Sequence, residues 1–187
     1  MTTMASLYNS LPSLEEATDK FTNRAHVFSK LASLLAKYEH KFGVCLVHAH
    51  CTLEEGEIMV ASGHVSQPEC DVECYPVCWL ASGEPYEFTK EPIGIPPPEL
   101  FTQFRDIVDG IDVLGIYAAS GPPSSGILLE RTDGRKNITE IVAFAGPQDI
   151  ETAWLPGADN PIVMTCTRQC LFDQRYGRHQ KVHGRNW

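Results

Sequence analysis

The sequence predicts an α+β domain: one antiparallel β-sheet of hairpins and a meander, packed against a long N-terminal helix and a second, shorter helix. Three observations predict it. Apolar residues recur at three- and four-residue spacing from Leu14 to Tyr38; strand-like apolar runs separated by turn residues follow from Phe42 onward; and Asp133-Gly134 joins two β-rich runs. The 187 residues, 43% hydrophobic and 21% charged, suit one ordinary globular unit. Residues 1–187 are therefore expected to form a single domain, with 1–12 and 173–187 as flexible or weakly ordered termini.

Each element has a local reason. Ser13-Leu14-Glu15-Glu16 has the form of a capping box, and Leu14, Ala17, Phe21, Phe28, Leu31 and Leu35 share one helical face. That helix is expected to run from about Leu14 to His40 and to stop at Gly43. Phe42 to Cys51 reads as a buried strand, Thr52 to Glu57 as an acidic turn and Ile58 to Ser62 as the returning strand. Tyr75 to Leu80 is a further strand, placed at an edge or a strand start by Pro76. Pro97-Pro98-Glu99 opens the shorter helix, Glu99 to Asp109, which Gly110 ends. Strands at Ile111–Ala119, Ile127–Arg131, Asn137–Ala145, Ile150–Leu155 and Ile162–Cys166 complete an antiparallel meander.

Composition excludes some functions. A net charge of −9 and a pI near 5.2 argue against a general affinity for nucleic acid or anionic membrane, both of which need a basic face. No apolar run approaches the roughly 20 residues that a membrane span needs, and Met1 to Ser6 lacks the features of a secretory signal. Seven cysteines, an odd number, point to free thiols or metal ligands in a reducing compartment. A cytoplasmic protein is the expectation.

The leading candidate for chemistry is His48-x-His50 with Glu57. Two imidazoles two residues apart on a strand point the same way, and a carboxylate from the following turn can be a third ligand. The set could hold a divalent metal, zinc or iron, or act directly as acid and base. Register decides whether Glu57 lies on the histidine face or Glu54 or Glu55 must reach in from the turn. The order Gly43, His48-x-His50, Glu54, Gly63 is similar to the first half of the cupin signature. Its spacing departs from that signature and the second half is missing, so no cupin function follows.

The run Gly43-x-x-Leu46-x-His48-x-His50-x-x-Leu53-x-x-Gly56-Glu57 resembles a stretch in a group of small, uncharacterised proteins of filamentous fungi. The resemblance covers under a fifth of the chain. It implies a cytoplasmic fungal protein and brings no activity with it.

A second candidate is Cys166-x3-Cys170-x8-His179-x3-His183, which has the ligand order of a zinc finger with a short spacer. It would form a closed, structural zinc clasp rather than a catalytic site. Cys70, Cys74 and Cys78 are spaced too widely along an extended chain to share one ion, and Cys51 or Cys74 beside a histidine is a possible thiol nucleophile. The expected function is thus a small cytoplasmic enzyme with metal-dependent hydrolase, lyase or isomerase chemistry on a small organic molecule, carried by His48, His50 and Glu57. The alternatives are a non-catalytic binding module pinned by the zinc clasp and a metal-free ligand carrier.

Overall fold

The computed structural model describes residues 3–22, 24–119, 126–158 and 161–167, together with the backbone of 171–173 and 178–181. Four helices are described: α1 (Met4–Asn9), α2 (Leu14–Lys20), α3 (Arg24–Ala36) and α4 (Pro98–Val108). The strands are β1 (Phe42–Leu46), β2 (Ile58–Ser62), β3 (Val65–Glu69), β4 (Tyr75–Leu80), β5 (Pro85–Thr89), β6 (Leu114–Ala118), β7 (Ile127–Asp133), β8 (Lys136–Val142), β9 (Ile150–Trp154), β10 (Ile162–Cys166), β11 (Leu171–Asp173) and β12 (Arg178–Lys181).

Ten of these strands close into a barrel in the order β1-β6-β4-β5-β2-β3-β8-β7-β10-β9, with β9 returning to β1. This overturns the expected α+β architecture of one open antiparallel sheet. The barrel is mixed: β2 runs parallel to β5 and β7 parallel to β10. A closed barrel has an inner and an outer face, and helices cover part of the outer one. Strands beneath that cover are buried on both faces, as all five residues of β1 are. Closure also needs close approaches between neighbouring strands. The Tyr117 ring lies across Gly43, where any side chain would collide with it, and a Cβ on Gly115 would meet the Trp79 carbonyl at 2.5 Å.

The expected long helix is two. Ser13 caps α2 with a full capping box, but α2 ends at Lys20, because Phe21 leaves helical geometry at φ −109 and ψ 81. The break lets Phe21 turn inward onto Phe28 and Trp154, with the Arg24 guanidinium stacked on both Phe21 and Trp154. α2, α3 and α4 bury Leu14, Leu31, Leu35, Leu100 and Phe104 in one cluster with Val44, Leu114, Ile116 and Trp154 on the outside of the barrel. None of the described helices is long and apolar enough to cross a membrane.

The expected hairpin between the strands at 42–51 and 58–62 does not form. β1 stops at Leu46 and pairs with β6 and β9, whereas β2 pairs with β3 and β5. Residues 47–57 instead form an irregular segment at one end of the barrel. α1 lies over that end, in the stretch expected to be a weakly ordered terminus, and buries Ala5 and Tyr8 against Cys45, Cys51, Met59 and Tyr86. The Asn9 amide grips the Leu53 backbone from both sides, donating to its carbonyl at 2.8 Å and accepting from its N–H at 2.8 Å. The turn at Gly134 (φ 61) does join two strands, β7 and β8, as its Asp-Gly signal indicated.

Candidate functional site

A cavity of about 310 Å³ lies inside the barrel, and the exposed Gly63 and His64 at the β2–β3 turn form part of its rim. His48 and His50 line it, both 5% exposed, with ring centroids 4.6 Å apart. They reach the interior from the irregular segment after β1 rather than from a strand, so the question of hairpin register does not arise.

Hydrogen bonds fix the two rings. His48 Nδ1 lies 2.7 Å from the Leu46 carbonyl oxygen, which can only accept, so Nδ1 carries a proton and donates it there. His50 donates its backbone N–H to the Tyr8 hydroxyl at 3.2 Å, and its Nε2 faces the Asn137 amide nitrogen at 3.3 Å. Burial depresses the His50 pKa to about 4, so the ring is neutral at physiological pH and Nε2 accepts from Asn137.

Two carboxylates share this interior. Glu130 Oε1 on β7 lies 3.9 Å from His50 Nε2, and Glu87 Oε1 on β5 lies 4.0 Å from the same atom. Asn137 on β8 ties the histidine to the acid, donating to Glu130 Oε1 at 2.7 Å. Burial, and next the charge of Glu130, push the Glu87 pKa up to about 8. Burial raises the pKa of Glu130 as well, partly offset by the charge of His48 and by hydrogen bonding from Asn137 and Thr152. The Tyr8 hydroxyl, raised by burial and by Glu87, remains protonated.

Cys166, at the end of β10, completes a donor set. One ligand atom each from His48, His50 and Cys166 lies within 4.8 Å of the others, and all three residues are buried. The parallel pairing of β10 with β7 puts Cys166 beside Glu130. Burial raises the Cys166 thiol pKa well above its ordinary value, with Glu130 and Asp149 adding to the effect. A bound divalent cation would reverse that preference.

Glu57 is placed elsewhere. Its carboxylate is gripped by the Arg135 guanidinium, which also donates to the Thr52 carbonyl from Nε at 3.2 Å and from Nη2 at 2.9 Å. Those hydrogen bonds hold the Glu57 pKa below its usual range. Glu54 and Glu55 are exposed. Of the alternative clasp, Cys170 and His183 lie outside the described residues, and His179 falls on strand β12. Cys51 is buried and its thiol is pushed up to about 12, which leaves little thiolate for nucleophilic chemistry.

Sequence reasoning missed Tyr8, Glu87, Glu130 and Asn137. For Glu87 and Glu130 the signal is weak but physical, an acid beside apolar residues, as in Leu128-Leu129-Glu130 or Pro85-Tyr86-Glu87-Phe88, whereas Tyr8 and Asn137 stand next to polar residues and carry none. An acid inside such a run is either at an exposed position or in a polar interior, and only the closed barrel decides which. Against known proteins, no family model, no curated protein and no solved structure matches this chain.

Proposed function

We propose that this protein is a small barrel enzyme that acts on an organic molecule bound in the cavity, with a divalent metal held by His48, His50 and Cys166. The observation that carries the reading is the convergence of three soft or borderline donors within 4.8 Å of one another, beside a cavity that also holds two carboxylates. Cys166 takes the position that Glu57 was expected to fill, because Arg135 occupies Glu57. Three protein ligands leave a coordination position for substrate or water, as catalytic zinc sites do. The Nδ1–H of His48, donated to the Leu46 carbonyl, is the kind of outer contact that orients a ligating imidazole.

A bound ion supplies a Lewis acid that polarises a substrate oxygen. The chain supplies the rest. Glu87, protonated near neutral pH, can donate a proton, and Glu130, held by Asn137, can accept one. That pairing suits hydrolase, lyase or isomerase chemistry. The cavity is at the lower end of the roughly 300–1,000 Å³ common for small-molecule sites, which favours a compact substrate.

Metal content measured on protein purified without chelators tests this. Because Cys166 belongs to both candidate sets, the discriminating variants are His48→Ala and His179→Ala. About one metal per chain, lost with His48→Ala and kept with His179→Ala, supports the barrel site; the reverse supports the structural clasp. A metal-free acid–base site is the second reading, favoured by neutral His50 lying 4.0 Å from protonated Glu87. It predicts turnover that survives removal of all metal.

A further inference from the structure

We propose that Cys45 and Cys78 form a soft-metal site on the cavity wall, two thiolates that bind one copper(I) ion. The site is separate from the His48, His50 and Cys166 set and does not depend on that set holding a metal.

The first argument is topology. β1 and β4 lie on either side of β6, with Cys45 opposite Gly115 and Cys78 opposite Tyr117. Gly115 has no side chain to keep the flanking sulfurs apart: a Cβ there would lie 3.2 Å from Cys45 Sγ. The two thiols hydrogen-bond to one another, and both residues line the cavity. The Tyr86 hydroxyl lies 3.3 Å from Cys45 Sγ, so this corner of the interior also carries an O–H donor.

The second argument is reach. Strands separated by a third strand hold their α-carbons about 9–10 Å apart, beyond the roughly 7 Å that a disulfide can span. Both cysteines are free. A metal ion bridges the wider gap. Metal–sulfur bonds of about 2.3 Å allow about 4–4.6 Å between the sulfurs, against about 2 Å in a disulfide.

The third argument is ligand count. Among the described residues, the only group of three histidine, cysteine or carboxylate donors close enough to share an ion is His48, His50 and Cys166. The Cys45–Cys78 pair therefore has no third donor of that kind. Two thiolates alone suit a soft ion of low coordination number, which copper(I) is and four-coordinate zinc is not. The hydrogen bond with Cys45, and next burial, push the Cys78 pKa well up, so this thiol is protonated until a cation displaces the proton. Binding exchanges two S–H bonds for two Cu–S bonds and releases two protons, with copper staying in the +1 state. The complex keeps one negative charge, which the Tyr86 O–H can stabilise by donating to Cys45 Sγ.

Anaerobic titration of the reduced full chain with copper(I), in competition with a chromophoric copper(I) chelator, tests the site. X-ray absorption of the protein loaded with one equivalent reads the ligands. The expected result is one tightly held ion with two sulfur neighbours and no imidazole. Cys45→Ala and Cys78→Ala are each expected to weaken copper(I) binding by more than the roughly 10–100-fold that losing an outer contact costs. His48→Ala and Cys166→Ala are expected to leave it unchanged. An imidazole signature, no binding, or affinity kept in both Cys45→Ala and Cys78→Ala overturns the proposal. The absorption spectrum of the unsubstituted protein needs no variant to fold. Divalent metal content is read separately, in His48→Ala against Cys45→Ala, so the failure of one site leaves the other standing.

Discussion

His50 and Glu87 hold protons in opposite senses, and their effects on stability can be separated. Burial moves the Glu87 pKa from 4.5 to about 8, so between those values the folded metal-free protein keeps a proton that the unfolded chain has released. Stability therefore falls as pH rises through that window. Burial moves the His50 pKa from 6.5 to about 4, so between those values the unfolded chain binds the extra proton and stability falls as pH drops. The two slopes oppose one another from pH 4.5 to 6.5, and above 6.5 the Glu87 contribution stands clear, with Glu130 acting in the same direction. Glu87→Gln is expected to flatten the decline between pH 6.5 and 8 by about 1–2 kcal/mol. Urea denaturation at several pH values measures this, and an unchanged slope would show that Glu87 is ionised in the folded protein. At this scale the sequence was partly legible. His48-x-His50 stands out because imidazoles at the end of an apolar run need partners, but nothing local in Glu130 or Asn137 reveals that they supply them.

Two irregular pieces join the histidines to the groups that strands β5, β7, β8 and β10 supply. Residues 47–57 carry both histidines across the barrel end, and the β7–β8 turn carries Arg135, which clamps that segment at Glu57 and at the Thr52 carbonyl. The same hairpin carries Glu130 and Asn137, so Arg135 fixes one half of the site against the other. Arg135→Met is expected to weaken metal affinity about 10–100-fold, as loss of outer contacts does, without abolishing folding. Arg135→Lys should recover part of that loss, since lysine keeps the charge but not the fork. Competition with a metal-binding dye reads both, and affinity equal to the unsubstituted protein in Arg135→Met would remove the clamp from the account. Glu57 was visible in the sequence as a carboxylate near the histidines. Its partner was not, because Arg135 is 78 residues away and closure of the barrel brings the two together.

The barrel depends on contacts that local patterning does not encode. Turn chemistry at Asp133-Gly134, the capping box at Ser13 and the short helix after Pro97 are local, and each is found where the sequence puts it. The parallel pairs β2–β5 and β7–β10 join segments separated by intervening strands, so hairpin logic reads them as a meander. The apolar stripe from Leu14 to Tyr38 is real, but Phe21 ends its helix and packs on Trp154 at the outer face of the barrel. Trp154, 1% exposed, joins β9 to the helical cover and donates its indole N–H to Glu151 at 3.0 Å. Trp154→Ala is expected to cost about 3–5 kcal/mol in thermal or chemical denaturation. A cost below about 1 kcal/mol would mean that the helices do not hold the barrel closed at that point. The central claim, that the interior is a metal centre facing a ligand cavity, is tested most directly by elemental analysis of the unsubstituted protein beside His48→Ala and Cys166→Ala. The account predicts about one divalent metal per chain in the first and almost none in either variant. Metal retained in His48→Ala, or none in the unsubstituted protein, would contradict it.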